Sequence, residues 1–151
     1  MSRPVSIGEA AKETGVKVPT IRFYEEIKLL RTPERTDGNR RQYGQSDLSR
    51  LSFIRHAREL GFDLDAIRTL LTLQDNPDQP CVAADGIAKA RLADVERRIR
   101  SLTALKKELV AMIDGCSSGR VSECRVIETL ADHSLCTEEH HKRSEAPRNF
   151  P

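Results

Sequence analysis

The chain has 151 residues, a mass of 17.0 kDa and a formal net charge of +2. This length allows one domain of ordinary size, or a small domain with an extended dimerisation element, and 32 % charged residues with no Trp are typical of a helical protein with a small core. The absence of a membrane-length apolar run and of an apolar N-terminal signal excludes a membrane protein and predicts a cytoplasmic one.

Two short helices are predicted at the N-terminus. Ser6 and Glu9 have the spacing of a capping box, so a helix should begin there and end near Gly15. A second helix should open at Pro19, whose fixed φ suits a first helical position. Two short helices joined by a tight turn indicate a helix-turn-helix, although such hairpins also occur in plain helical domains.

The second helix carries candidate DNA contacts. Arg22 can reach a phosphate or a guanine edge, and the Tyr24 hydroxyl can donate to a phosphate. Thr20 belongs to the same set of DNA-binding candidates.

A small hairpin is predicted around the turn at residues 37–39, Asp-Gly-Asn, between short extended segments. Its polar side chains would project like the wing of a DNA-binding domain along a backbone or minor groove. These side chains are Arg35, Arg40, Arg41 and Tyr43. The competing interpretation is a solvated surface hairpin.

Two further helices should close the core of this head. Ser46 is predicted to cap a helix from Asp47 to about Leu60, and Asp63 to cap the next. Inward positions are Leu48, Leu51, Ile54 and Ala57 on one helix and Leu64, Ile67, Leu70 and Leu71 on the other. Arg55 lies on the outer face, where it can contact a phosphate or remain solvated. Residues 74–80 are polar and interrupted by proline, which indicates a hinge.

One long helix is predicted between Cys81 and Gly115, where proline is absent. Apolar residues follow the three-four spacing of a coiled-coil seam, with Lys106 at the one skipped place. The seam comprises Leu92, Val95, Ile99, Leu102, Leu109 and Ile113. A stripe of this length requires a partner, so we expect an antiparallel homodimer.

Three cysteines flank this helix. Cys81 precedes it, and Cys116 and Cys124 bound a short loop after it. In the cytoplasm they should be reduced and available as metal ligands. A helix of about thirty residues spans roughly 45 to 50 Å, so Cys81 can join the loop cysteines only across an antiparallel dimer. Chance buried cysteines are the alternative interpretation.

These motifs together resemble the MerR family of metal-responsive transcription regulators over residues 4–131. The resemblance is carried by Ile-Arg-Phe-Tyr-Glu-Glu at 21–26, Arg-Gln-Tyr at 41–43, Phe-Ile-Arg at 53–55, Leu-Gly-Phe at 60–62, the long helix and the cysteine loop. It implies a dimer whose winged heads bind a palindromic promoter, and which distorts that DNA on metal binding so that RNA polymerase can read it.

The resemblance also assigns DNA contacts. Arg22 and Tyr24 match the family's recognition-helix positions, Arg41 and Tyr43 its wing, and Arg55 a phosphate contact on the third helix. The wing departs from the family at position 40, where arginine replaces the usual aromatic residue.

The sequence predicts which residues bind the metal more specifically than it predicts which metal they bind. Three thiolates favour zinc, cadmium or lead over copper(I), which can be bound by only two ligands. Copper-sensing members resemble this chain in the gap between Cys116 and Cys124 but carry serine where Cys81 stands, and zinc sensors often have a cysteine where Ser117 stands. Cadmium- and lead-sensing members resemble it at residues 76–79. A copper(I) or silver sensor is the alternative.

A second cluster follows in the tail: His133, Cys136, His140 and His141. It is either a further metal site or a polar segment that binds metal incidentally.

The resulting interpretation is a mostly α protein with a winged helix-turn-helix head and a long antiparallel coiled-coil dimerisation helix. Its expected segments are the head at 1–73, the hinge at 74–80, the dimerisation helix at 81–114, the metal loop with a short helix at 115–132, and a tail at 133–151 that is expected to be disordered. An iron-sulfur redox sensor needs tighter cysteine spacing, a metal-buffering dimer leaves the arginine wing without a purpose, and no residue pattern of an enzyme is found.

Overall fold

The computed structural model describes residues 3–116 and 119–135. Within these residues the fold is mostly helical, with one small antiparallel hairpin. The helices are α1 (Ile7–Thr14), α2 (Val18–Glu26), α3 (Gln45–Glu59), α4 (Leu64–Gln74), α5 (Val82–Asp114) and α6 (Arg125–Ala131), and the strands are β1 (Glu34–Arg35) and β2 (Arg41–Gln42). The predicted fold class, a winged helix-turn-helix head followed by a long helix, is confirmed. The described residues divide into two compact units, with the boundary between residues 91 and 92.

The first helix begins as its sequence predicts, and the second begins at Val18, one residue before the predicted start at Pro19. The Ser6 side chain accepts a hydrogen bond from the Glu9 N–H at 3.3 Å, and the Glu9 carboxylate accepts one from the Ser6 N–H at 2.8 Å. Gly15 ends α1 with a φ of 70°, a left-handed conformation that favours glycine. Pro19 lies in the first turn of α2, where its missing N–H costs no helical hydrogen bond.

The start of α3 differs from the prediction that Ser46 caps it. The helix begins at Gln45, because the carboxylate of Asp47 accepts a hydrogen bond from the Gly44 N–H at 2.9 Å. The helix therefore begins two residues before the predicted start at Asp47. The inward face is as predicted: Leu48, Leu51, Ile54 and Ala57 are all buried.

The core of the head lies between α1, α2, α3 and α4. Asp63 caps α4 by accepting from the Ala66 N–H at 2.7 Å, as predicted. The largest fully buried side chains are Tyr43, Ile21, Leu29, Leu51, Ile54, Ile67 and Leu71. Burial of these apolar surfaces is the main stabilising contribution to the unit.

The hairpin is the predicted wing. Glu34 pairs with Gln42 and Arg35 with Arg41 in an antiparallel register. Asn39 adopts a φ of 60°, which asparagine tolerates better than most residues, at the end of the predicted turn. An additional bridge pairs Val5 with Tyr43, so the N-terminal segment lies beside the wing.

The long helix α5 displays most of its predicted seam to solvent in the single chain. Val95 is half-buried, whereas the exposed fraction of the other seam residues lies between 49 % at Leu109 and 66 % at Ile113. Leu92, Ile99 and Leu102 fall within these bounds. Lys106 is also exposed. Exposed apolar residues at this spacing are typical of a surface that a partner helix covers.

A different set of residues is buried near the end of α5. Ala104, Glu108 and Met112 lie at spacings of four residues, on one face of the helix, and Thr129 of α6 is buried in the same unit. Ile127 and Leu130 of α6 are exposed in the single chain.

None of the helices in the described part of the chain is both long and apolar enough to cross a membrane.

Candidate functional site

The exposed face of α2 presents Arg22 to solvent, while Thr20 is half-buried. The preceding residue, Ile21, is fully buried in the core, so packing fixes the rotation of the helix. Arg22 is therefore presented on a rigid helix, as a phosphate or base contact requires.

Tyr24 and Tyr43, by contrast, are packed into the head. Tyr24 is buried, and this burial raises the pKa of its hydroxyl. Tyr43 has 0 % of its surface exposed, and its hydroxyl donates a hydrogen bond to Glu25 Oε1. The pKa of Tyr43 is raised mainly by burial, and the hydrogen bond to the Glu25 carboxylate raises it further. A DNA contact from either hydroxyl stays a prediction.

Glu25 joins the wing to the recognition helix. Its second oxygen, Oε2, accepts a hydrogen bond from Arg41 Nε at 2.9 Å, so one carboxylate receives both Arg41 and Tyr43. The carboxylate side chain is only 10 % exposed, which strengthens both interactions. Sequence reasoning did not assign Glu25 a role, although it follows Tyr24 directly in the motif.

The tip of the wing is held by its own side chains. Arg35 Nη1 donates to both the backbone oxygen and the side-chain oxygen of Asn39, each at 3.1 Å. The Thr36 hydroxyl accepts from the Arg40 N–H at 3.1 Å. The side chain of Arg40 is left exposed at the tip, where the resemblance expects an aromatic residue.

Arg55 has two internal partners. Its Nη1 donates to the backbone oxygen of Thr14 at 2.9 Å, at the end of α1, and its Nε donates to Glu59 at 2.8 Å. The guanidinium lies directly over Gly15, where an added Cβ would meet it. Arg55 thus holds α1 and α3 together, and its predicted phosphate contact is untested.

The loop after α5 brings two thiols together. Cys116 Sγ and Cys124 Sγ are 3.7 Å apart, too far for a disulfide and close enough for both to bind one ion. Gly115 permits this approach, because a Cβ there would lie 2.8 Å from Arg125 Cγ at the start of α6. Cys116 is exposed and Cys124 half-exposed, so an ion can reach them.

Electrostatics favour the thiolate form of Cys124. The N–H group of Ile127, in the first turn of α6, lowers the pKa of Cys124, and the hydrogen bond with Cys116 and the N–H of Val126 add to this effect. A thiolate is the form that binds metal, so the loop favours the metal-binding state of this side chain.

The third predicted ligand, Cys81, is exposed immediately before α5. Among the described residues, 3–116 and 119–135, no three His, Cys, Asp or Glu side chains gather into a metal site within one chain. The pair at Cys116 and Cys124 is therefore two donors short of a tetrahedral set. Of the predicted second cluster, His133 lies in a short 3₁₀ turn, whereas Cys136, His140 and His141 lie outside the described residues.

The sequence of the chain matches family profiles and characterised relatives over most of its length. The sequence profile described as "MerR HTH family regulatory protein" matches residues 5–74, and the profile "MerR, DNA binding" matches residues 48–112. The HTH-type transcriptional regulator ZntR of Escherichia coli is 42 % identical over 127 residues, covering 82 % of this chain and 90 % of that protein.

Two solved structures have a similar fold. The lead(II) complex of a transcription regulator from Ralstonia metallidurans is 38 % identical, covers 86 % of this chain and 99 % of its own, and superimposes with a TM-score of 0.71. The mercury(II) complex of a MerR regulator from Bacillus megaterium is 32 % identical, with coverages of 84 % and 99 % and a TM-score of 0.65.

Proposed function

The protein belongs to the MerR family of metal-responsive, DNA-binding transcription regulators, as the sequence resemblance predicted, and from this premise we propose that it senses zinc, cadmium or lead and activates a metal-resistance or efflux promoter. The observation that carries the proposal is the 3.7 Å separation of the Cys116 and Cys124 sulfurs. With zinc–sulfur bonds of about 2.3 Å, this separation corresponds to an S–zinc–S angle of about 107°, close to the tetrahedral value.

The same distance disfavours a linear ion. Copper(I) or silver(I) with two ligands needs the sulfurs on opposite sides, roughly 4.6 Å apart for bonds of the same length. The loop would have to open before it could bind such an ion. Divalent ions with three or four ligands fit the pair as it stands, and copper(I) is the competing ion in the test below.

A third thiolate is assigned to the partner subunit's Cys81. Two thiolates leave a tetrahedral ion short of donors, and no third donor lies beside them within the described residues of one chain. The exposed seam of α5 supports the homodimer that would bring this donor into place. In this arrangement residues 81–114 form the dimerisation helix and residues 115–132 the metal loop.

On the DNA side, the heads at residues 1–73 are proposed to bind the two halves of a palindromic promoter. The contacts proposed for them are Thr20, Arg22, Arg41 and Arg55, whereas Tyr24 and Tyr43, which are buried in the head, are proposed to support the recognition helix and the wing from the core. Metal capture shifts the population towards one arrangement of the heads, and this arrangement distorts the DNA so that RNA polymerase can read the promoter. Residues 74–80 act as the hinge in this mechanism, and the tail at 133–151 carries the candidate second metal cluster.

The test is a metal titration of the reduced protein in the absence of oxygen, with zinc, cadmium, lead and copper(I). Wild type is compared with Cys81→Ser, and with Val82→Ala as a control at the exposed neighbouring residue, whose side chain cannot bind metal. Divalent binding should collapse in Cys81→Ser and persist in Val82→Ala. If Cys81→Ser binds divalent ions as tightly as wild type, and copper(I) binds tightest of all, the proposed ligand set and metal class are wrong.

A further inference from the structure

Three consecutive backbone oxygens at the end of the recognition helix are held by two arginines. Arg68, from α4, donates to the oxygens of Ile27 at 2.7 Å and Lys28 at 3.3 Å. Arg50, from α3, donates through Nε to the oxygen of Leu29 at 3.0 Å. The direction in which the chain leaves α2 is therefore fixed by α3 and α4, because these carbonyl groups have no helical partner of their own.

Arg50 also makes a second connection. Its Nη1 donates to both carboxylate oxygens of Asp75, at 3.1 and 3.0 Å. Asp75 follows the last residue of α4 and opens the linker that leads to Cys81. The guanidinium group of Arg50 thus bonds both Leu29, just after the recognition helix α2, and Asp75, at the start of the linker that leads to Cys81.

We propose that Arg50 is a positioning residue that couples metal capture at Cys81 to the orientation of the recognition helix, with Asp75 as its partner. This inference rests on the proposed function, because it requires Cys81 to bind the metal. A displacement of the linker moves Asp75, and the planar guanidinium transfers that displacement to Leu29, since both of its bonds are made by one rigid group.

The exposure of the pair suits a contact that forms and breaks. The side chains of Arg50 and Asp75 are 19 % and 40 % exposed, and they line an open cleft together with Arg31 and Gln74. Ion pairs at such positions add little to static stability, and breaking this one leaves no fully buried charge. A purely structural role therefore predicts only small effects of removing the Asp75 charge.

Arg68 provides a matched control. It binds the neighbouring oxygens of Ile27 and Lys28, yet no bond between Arg68 and the linker is seen among the described residues. Replacing Arg68 should loosen the end of α2 without interrupting the connection to Cys81.

The experiment uses the full-length dimer on a duplex selected from a random pool for tight binding, with a fluorescent base analogue at its centre to report distortion. Wild type, Asp75→Asn, Arg50→Met and Arg68→Met are compared with and without added zinc or lead. Metal affinity and DNA affinity should stay within about twofold of wild type in Asp75→Asn. Its metal-dependent fluorescence change should be largely lost, while Arg68→Met keeps the wild-type change.

A full response in Asp75→Asn would overturn the inference, as would an equal loss in Arg68→Met. If Arg50→Met does not fold, Asp75→Asn decides the matter alone, because it leaves the Arg50 bond to Leu29 in place. A wild-type protein that binds metal at Cys81 without any change in the DNA would instead refute the proposed function, and the inference with it.

Discussion

Removing the hydroxyl group of Tyr43 tests whether this residue attaches the wing to the recognition helix or contacts DNA. In Tyr43→Phe the ring keeps its place in the core, where none of its surface is exposed, and only the hydrogen bond to Glu25 is lost. Hydrogen bonds to charged groups contribute about 1.5–3 kcal/mol. Because Arg41 still pairs with the carboxylate, we expect a loss near the lower end, about 1.5–2 kcal/mol.

The free energy of unfolding is measured by urea denaturation, and the Tm should fall by roughly 3–8 °C. A double-mutant cycle with Glu25→Gln isolates the pair and should give a coupling of about 1–2 kcal/mol. Glu26→Gln, on the exposed neighbour in the same helix, is the control and should be nearly neutral.

DNA affinity decides between the two roles. If Tyr43→Phe weakens DNA binding at unchanged stability, the hydroxyl contacts DNA and the assignment to Glu25 is refuted. A loss of stability with a coupling near zero would also contradict it, because the hydroxyl would then be bonded elsewhere.

The remaining predictions concern the pH dependence of stability, the close approach of Gly115 to Arg125, and the capping of α4 by Asp63. Because the pKa of Tyr43 is raised in the folded state, its contribution is fully present below the unfolded value of about 10 and is lost as pH rises above it; alkaline denaturation of wild type should therefore show a loss that Tyr43→Phe lacks, and identical profiles would contradict the assignment. Gly115→Ala should weaken zinc binding in a titration, because the added Cβ would lie 2.8 Å from Arg125 Cγ and displace the Cys124 side of the loop. Gly86→Ala, in open space on α5, should leave zinc binding unchanged and stabilise the protein by about 0.5–1 kcal/mol; equal zinc affinities in the two variants would count against the close approach. Asp63→Ala should cost about 1 kcal/mol in thermal unfolding by removing the cap on α4, and a neutral result would mean that water replaces it.

Local chemistry made much of the fold predictable. The capping box at Ser6, the Asp63 cap and the turn at residues 37–39 depend on residues close in sequence, and all three occur as expected. The start of α3 was predicted wrongly. Ser46 and Asp47 are both good capping residues, and only the structure shows that the Asp47 carboxylate reaches the Gly44 N–H.

The partners of the site residues were less predictable because they are distant in sequence. Tyr43 and Glu25 are 18 residues apart, and Arg55 and Thr14 are 41 apart. Arginines and tyrosines near a DNA-binding motif suggest phosphate contacts, but the same groups also satisfy buried carboxylates and helix ends once tertiary packing brings them together. The cysteine pair was simpler, since a short loop bounded by two cysteines permits close approach.

The lysine in the middle of the apolar seam has a consequence for alignment. Lys106 takes a place that an apolar side chain would otherwise occupy on α5, between Leu102 and Leu109. A charged group in the seam weakens a coiled coil. It also specifies the register, because every alignment of the two helices that buries the charge against an apolar neighbour is disfavoured. Two copies can keep both ammonium groups in water only at particular offsets. In the proposed dimer the lysine would therefore select the register of the two helices, and with it the distance between the cysteines at the opposite ends of α5.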